Sequence, residues 1–312
     1  MKKQSSAKGS LMLLMAAFFW GTTFVAQSAA AKCIGAFTFN ATRSFVGALF
    51  LAILVGLRRA AKKGEHIEQK ENSEKANPVS VWKAGIICGL VLFAAMNFQQ
   101  TGITLYPDGV ASSGRSGFLT ATYVIIVALC SKWLGKKVHP IIGVATVICI
   151  VGMYFLCMAQ GFSGVYFGDV LGIICAFCFA THIMVVDHFS DCDSVALSCI
   201  QFLTSGTLSL VAMFLFEQPA VLQIWKAGVP ILYAGIFSSG VAYTLQMAGQ
   251  KYAAPAVASI VMSLESVFAV IGGFIILQER LTQREALGCV LVFAAVMIAQ
   301  VPDMIGKKME HK

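Results

Sequence analysis

Charge is what this sequence has least of. Only 12% of its residues are Asp, Glu, Lys or Arg, about half the share of an ordinary soluble chain, and they are clumped. A soluble globular domain is excluded on that ground. The chain also lacks the motifs by which a protein holds a nucleotide or arms a serine: there is no GxxxxGK[ST] and no GxSxG. ATP-driven transport by this chain alone is therefore not expected, and no polar stretch is long enough for a separate catalytic domain. The ten cysteines lie mostly in apolar runs, where Cys behaves as a small hydrophobe, and no disulfide framework is readable. Cys175 and Cys178 form a CxxC inside such a run, without the second pair a metal site needs. Nothing calls for a cofactor or a metal, and the chain is not expected to be an enzyme.

What the chain has in excess is apolar length. Hydrophobic residues make up 58% of it, and the mean hydropathy is +0.78. Ten apolar runs reach spanning length, at about 11–31, 35–57, 82–105, 109–131, 138–158, 168–188, 194–216, 228–250, 254–277 and 284–302. Twenty helical residues cross roughly 30 Å, the hydrocarbon core of a bilayer. The expected fold is an all-α polytopic membrane protein of ten transmembrane helices. Lys2, Lys3 and Lys8 precede the first run, and Ala29-Ala30-Ala31 imitates a signal-peptidase site; that run is long enough to span, so it is read as a helix that stays. The stretch from Arg58 to Ser80 is too charged to enter a bilayer and is expected to be a surface loop.

A net charge of +8 raises the question of nucleic acid, but the placement of the cations answers it differently. With the N-terminus in the cytoplasm, the inside segments collect Lys2, Lys3, Lys8, all Lys and Arg between 58 and 83, Lys132, Lys136, Lys137, Lys251, Lys307, Lys308 and Lys312. The outside keeps only Lys32, Lys226, Arg280 and Arg284, and Arg43 and Arg115 fall within spans. This is the positive-inside pattern. It predicts a plasma-membrane protein with both termini cytoplasmic and no nucleic-acid partner. The chain also reads as duplicated, residues 1–160 against 161–312. Val110-Ala111-Ser112 opens the fourth span and Val257-Ala258-Ser259 the ninth, and each following span carries an early glycine, Gly143 or Gly288. Five spans per half is odd, so the halves enter from opposite sides, an arrangement typical of secondary transporters with a midplane site.

The second half carries a resemblance. Pro255 with Ala258-Ser259, then Ser263-Leu264-Glu265-Ser266-Val267-Phe268-Ala269, then Glu279-Arg280-Leu281-Thr282 and Gly288 follow the signature of the drug/metabolite transporter superfamily, EamA type, which the chain resembles over nearly its whole length. Ser266 stands where that family has proline and Gln278 where it has glycine. Phe19-Trp20-Gly21 and the intraspan Arg43 are also similar to the family, whereas Gly135-Lys136-Lys137 and Arg115 depart from it. The resemblance implies a transporter of a small organic solute, working outward; it does not imply which solute.

Polar residues at helical spacing mark the candidate site. Trp20, Thr23 and Gln27 align in the first span, Asn40 and Arg43 in the second, and Asn97 and Gln100 in the third. Ser112 and Arg115 align in the fourth span, and Ser239, Tyr243 and Gln246 in the eighth. One such residue is readily explained by hydrogen bonding between helices; several faces together point to a shared polar cavity. Arg43, Arg115 and Glu265 are the costly members, at about 2.5–3.5 kcal/mol each for a charge at midspan. They are either an ion pair of Glu265 with one arginine or a site for substrate and proton. Two arginines against one carboxylate suggest a substrate with an anionic group. Glu265 is the first candidate for proton coupling and His182 a second. Asp187, His188, Asp191 and Asp193 cluster at a span end, where a solvated face is the plainer reading than a metal. Gly206, Gly235 and Gly240 are expected to let helices approach, Gly272-Gly273 to kink the ninth span, and Pro255 to open it.

These features predict a secondary transporter of a small metabolite such as an amino acid, by alternating access. Its partners would be that solute and the lipid bilayer, with room for a homodimer. A membrane-embedded enzyme on a lipid-soluble substrate would need paired catalytic groups at one depth, and a receptor would not need the repeat.

Overall fold

The computed structural model describes residues 7–64, 78–107, 110, 112–135, 139–157, 166–276 and 278, with 283–284, 286–288, 290–295 and 297–298 beyond them. The described residues form helices and no strand. They are α1 (Ala7–Ala31), α2 (Ala36–Gly64), α3 (Pro78–Thr104), α4 (Ser112–Ala121), α5 (Tyr123–Trp133), α6 (Pro140–Cys157), α7 (Phe167–His188), α8 (Ser194–Phe216), α9 (Val221–Lys226), α10 (Gly228–Tyr233), a π-helical stretch (Ala234–Ala242), α11 (Tyr243–Gln250), α12 (Pro255–Met262) and α13 (Leu264–Ile276). Among the described residues, eight helical segments are long and apolar enough to cross a membrane, and two shorter apolar helices cover Pro140–Gly152 and Ala286–Ala295.

The bundle is apolar outside, and its largely apolar interior also holds many polar side chains. Leu49, Ile53, Leu57, Leu90, Phe177 and Phe214 are exposed, while Gln27, Asn40, Arg43, Gln100, His182, Gln201 and Glu265 are buried. An apolar surface with its intraspan charges turned inward is what a hydrocarbon solvent selects. Trp82, Trp133 and Trp225 lie exposed near helix ends, the level at which indole rings favour the membrane interface. The protein is a multi-pass membrane protein.

Helix α2 packs along α8 and the π-helical stretch, and α3 packs along α7 and α8. Helix α1 packs against α13, α11 and the π-helical stretch, and α4 against α13 and α7. Close approach is achieved through glycine where α2 meets the eighth span. A Cβ on Gly47 would stand 2.6 Å from Ser239 Cβ and 2.9 Å from Gly235 O. One on Gly235 would stand 3.0 Å from the Arg43 carbonyl oxygen, and one on Gly240 2.6 Å from the Phe50 ring.

Three departures from the sequence reading have local causes. Helix α2 does not end at Arg58 but continues to Gly64, because Arg-Arg-Ala-Ala-Lys-Lys is a strong helix former and its cations suit a helix C-terminus; the remaining expected loop, 65–77, lies outside the described residues. The fourth span is broken at Thr122, whose hydroxyl donates to Leu119 O at 2.6 Å while its amide turns to the same carbonyl at 3.2 Å. The ninth span breaks at Ser263 rather than at Gly272-Gly273, which stay helical within α13. There Ser263 Oγ donates to Ile260 O at 2.7 Å and Ser266 Oγ to Ser263 O at 2.7 Å. Hydroxyls that compete for helix carbonyls loosen the regular ladder. Pro255 opens α12 as expected.

Candidate functional site

The helices surround a narrow central cavity that is partly open to the outside. The first span contributes Trp20, Thr23, Phe24 and Gln27, and α2 contributes Arg43. From α3 comes Gln99, from the broken fourth span Thr120 and Tyr123, and from α7 Phe179 and Ile183. The eighth span adds Ser238, Tyr243 and Gln246, and α13 adds Glu265. The π-helical stretch matters here, since such segments recur at functional sites: Ser238 lies in it and Tyr243 follows directly after it.

Five buried polar atoms on this cavity have no hydrogen-bond partner among the described residues: Trp20 Nε1, Arg43 Nε, Tyr123 OH, Gln246 Oε1 and Glu265 Oε1. Orphaned groups of this kind are rare in a finished core. Arg43 is only 2% exposed. Its guanidinium lies 5.4 Å from the Phe39 ring, and among the described residues no carboxylate is in salt-bridge range of it. Tyr243 lies close enough to feel both Arg43 and Glu265, and the Tyr123 phenol faces Glu265. The Tyr243 ring is held edge-on by Trp20 at 4.8 Å, Phe202 at 5.1 Å and His182 at 5.8 Å. One wall is a relay of amides: Gln27 Nε2 donates to Gln99 Oε1 at 2.9 Å, and Gln99 Nε2 to Thr120 Oγ1 at 3.0 Å.

Of the residues read from the sequence, Trp20, Thr23, Gln27, Arg43, Tyr243, Gln246 and Glu265 line the cavity. Asn40, Asn97 and Gln100 do not. Asn40 Nδ2 donates to Met96 O at 2.9 Å and Asn97 Oδ1 at 3.0 Å, Asn97 Nδ2 donates to Ser209 Oγ at 3.0 Å, and Gln100 Nε2 donates to Gln27 O at 3.2 Å. These are bonds that join helices. His182 is also off the cavity, with Nε2 3.1 Å from Gln201 Oε1. Asp193, read as part of a solvated cluster, caps α8 by accepting from Ala196 N at 2.7 Å.

Arg115 corrects the expected charge balance. It neither lines the cavity nor pairs with Glu265. Its Nε donates to Asp169 Oδ1 and its Nη2 to Asp169 Oδ2, both at 2.6 Å. Asp169 also accepts from Tyr106 OH at 2.8 Å and from Tyr166 N at 2.8 Å. This carboxylate in the first turn of α7 draws no notice in the sequence, because it sits at a span end. With it in place, the described cavity lining holds one cation, Arg43, and one acid, Glu265. Gln99, Tyr123 and Phe179 are likewise absent from the sequence reading. Gln99 sits beside Gln100 in sequence and either could have faced inward; Tyr123 and Phe179 carry no signal that separates a cavity wall from a packed aromatic.

Residues 7–158 and 166–300 each match the model of the EamA-like transporter family. An uncharacterized transporter of Archaeoglobus fulgidus is 28% identical, the match covering 96% of this chain and 90% of that protein. An uncharacterized transporter of Bacillus subtilis, YoaV, is 22% identical over 93% of this chain and 96% of its own length. A solved crystal structure of a protein 19% identical in sequence superposes with a TM-score of 0.73, covering 97% of this chain and all of that one; the likeness speaks to the fold.

Proposed function

This chain belongs to the EamA-like transporter family, and from that premise we propose that it is a secondary transporter exporting a small organic metabolite across the plasma membrane by alternating access. The carrying observation is the central cavity, where a buried arginine, a buried acid and three further orphaned polar atoms face one space. A solute with an anionic group for Arg43 and an amine for Glu265, such as an amino acid, would satisfy both charges, and the orphaned donors and acceptors would fix its orientation.

The architecture behind this reading is ten spans in two inverted repeats, 1–160 and 161–312, with α6 and the Ala286–Ala295 helix as the fifth and tenth. The packing supports it. Helix α2 lies on α8, its counterpart; α3 lies on α7 as the eighth span lies on α1; and α4 meets α7 as the ninth span meets α1. Cavity positions pair in the same way: Trp20 and Phe24 on α1 answer Phe179 and Ile183 on α7, and Gln99 answers Gln246. Such a repeat supplies two access states related by symmetry. Both termini are assigned to the cytoplasm by the distribution of Lys and Arg.

Purified protein in proteoliposomes, offered labelled amino acids and organic acids with and without a pH gradient, tests the proposal. Saturable movement of at least one solute, lost in a Glu265→Gln, Arg43→Leu double variant, is expected. A protein that moves none of them faster than empty liposomes would sink it.

A further inference from the structure

We propose that the Arg115–Asp169 pair is a latch that tilts the access equilibrium toward closure at the end of the bundle where α4 and α7 begin, the outer end in the orientation above. The inference rests on the alternating-access reading. The pair joins three spans in one knot. Arg115 grips Asp169 through two nitrogens, and Tyr106, just beyond α3, donates to the same carboxylate. The Tyr106 and Tyr166 rings lie 5.9 and 5.0 Å from the guanidinium carbon and meet each other edge-on at 5.9 Å. Ser28 near the end of α1 lies 2.9 Å, oxygen to oxygen, from Ser112 at the start of α4, so α1 is tied in as well.

The knot stands on the route from the cavity to that end. Gln27 and Gln99 line the cavity. Phe24 on the cavity wall packs with Ala269 and with Ile103 in a small apolar cluster, and Ile103 lies one turn nearer than Gln99 to the end of α3 that carries Tyr106. At the opposite end α7 is held to α11 by Gln250 Nε2 donating to Ile183 O at 3.1 Å, and Lys251 Nζ donates to Cys192 O at 2.9 Å. Both of these bonds are accepted by backbone carbonyls. A bidentate, charge-assisted pair is roughly twice as strong per bond as a neutral one. A charge-assisted knot that holds only while this end is shut shifts the population toward the state that keeps it shut.

The test uses a full-length version without native cysteines that carries Ser238→Cys as a reporter in the cavity. An impermeant thiol reagent is applied to intact cells and, separately, to inside-out vesicles. Asp169→Asn is expected to raise the external labelling rate by roughly tenfold or more, and Arg115→Lys, which keeps charge and loses the fork, by less. No rise from either side overturns the latch. A rise from the vesicle side alone upholds the latch and overturns the orientation. This arm needs no solute, so it stays readable if the transport reading fails. A second arm guards against misfolding in the charge variants. Ser28→Cys with Ser112→Cys, oxidised to a disulfide in proteoliposomes, is expected to stop transport, and reductant to restore it. Full transport by the oxidised protein overturns the proposal.

Discussion

Glu217, where α8 ends, grips Thr38 at the start of α2: one carboxylate oxygen accepts from the Thr38 amide at 2.8 Å and from its hydroxyl at 2.6 Å. The other oxygen accepts from Phe37 N at 2.9 Å. First-turn amides have no partner within their own helix, and the helix dipole favours an anion there. The tie joins two helices far apart in sequence. Glu217→Ala should cost about 1.5–3 kcal/mol, the usual worth of hydrogen bonds to a charged group, read as a lower Tm in detergent. Glu217→Gln should fall between. Solute affinity of the folded fraction should not change, since Glu217 does not line the central cavity. An unchanged Tm in the alanine variant would mean the tie contributes nothing.

Gly47 sets how near α2 comes to the π-helical stretch. Any Cβ there meets Ser239 Cβ and the Gly235 carbonyl oxygen, and neither atom can be moved by rotating a side chain. Gly47→Val should therefore lower stability by about 1–3 kcal/mol, as overpacking does. It should also weaken solute binding, because the segment it displaces carries Ser238 and leads into Tyr243. Parental Tm and affinity in the Gly47→Val protein would show that the contact yields freely.

How much of this was legible in the sequence differs between fold and site. Hydropathy sees length, so the spans stand out one by one. Intraspan charge is expensive, so Arg43 and Glu265 announce themselves. Hydropathy does not see which way a polar residue faces. Asn40, Asn97 and Gln100 have the same spacing as cavity residues yet bond to neighbouring helices, while Gln99, one position away, faces the cavity. Arg115 reads as an uncompensated cation because its partner lies in another span and at a span end, where an acid draws no notice. Breaks at Thr122 and Ser263 come from hydroxyl bonding to carbonyls, which neither glycine nor proline marks.

The charge distribution sets a topology that can be read directly. Ser73 lies in the basic stretch assigned to the cytoplasm. A single cysteine at that position, in a version otherwise free of cysteine, should be silent to an impermeant reagent on intact cells and react once the cells are opened. Labelling of intact cells would falsify the orientation.

Glu265 is the only carboxylate among the described residues of the cavity lining, and the Tyr123 phenol faces it. A carboxyl group in that place can take up and give back a proton as the cavity changes sides, which a glutamine of the same shape cannot. Glu265→Gln should abolish accumulation driven by a pH gradient while solute exchange across the same liposomes continues. Gradient-driven accumulation that survives the substitution removes Glu265 from proton coupling and leaves it a binding role only.

Arg43 takes over the part that the spacing of charges assigns equally to Arg115. It is buried, has no carboxylate within salt-bridge range among the described residues, and leaves Nε unbonded beside the cavity. An unpaired guanidinium at that depth is costly, so a solute that brings an anionic group to it recovers energy that no described protein group supplies. The planar fork is matched to a carboxylate by two parallel bonds, which an ammonium cannot make. Arg43→Lys should thus weaken binding of an anionic solute by roughly tenfold to a hundredfold, from the loss of about 1.5–3 kcal/mol, and Arg43→Leu should remove binding. Both variants should fold, because neither breaks an ion pair, and Leu relieves a buried charge; Tm in detergent at or above the parental value is the control. Equilibrium binding in detergent, with amino acids and their decarboxylated amines compared, gives the reading. The parent should prefer the carboxylate-bearing member and the Leu variant should lose that preference. If the parent binds the amines as tightly as the amino acids, Arg43 does not face the solute's acid group, and the anionic assignment fails with it.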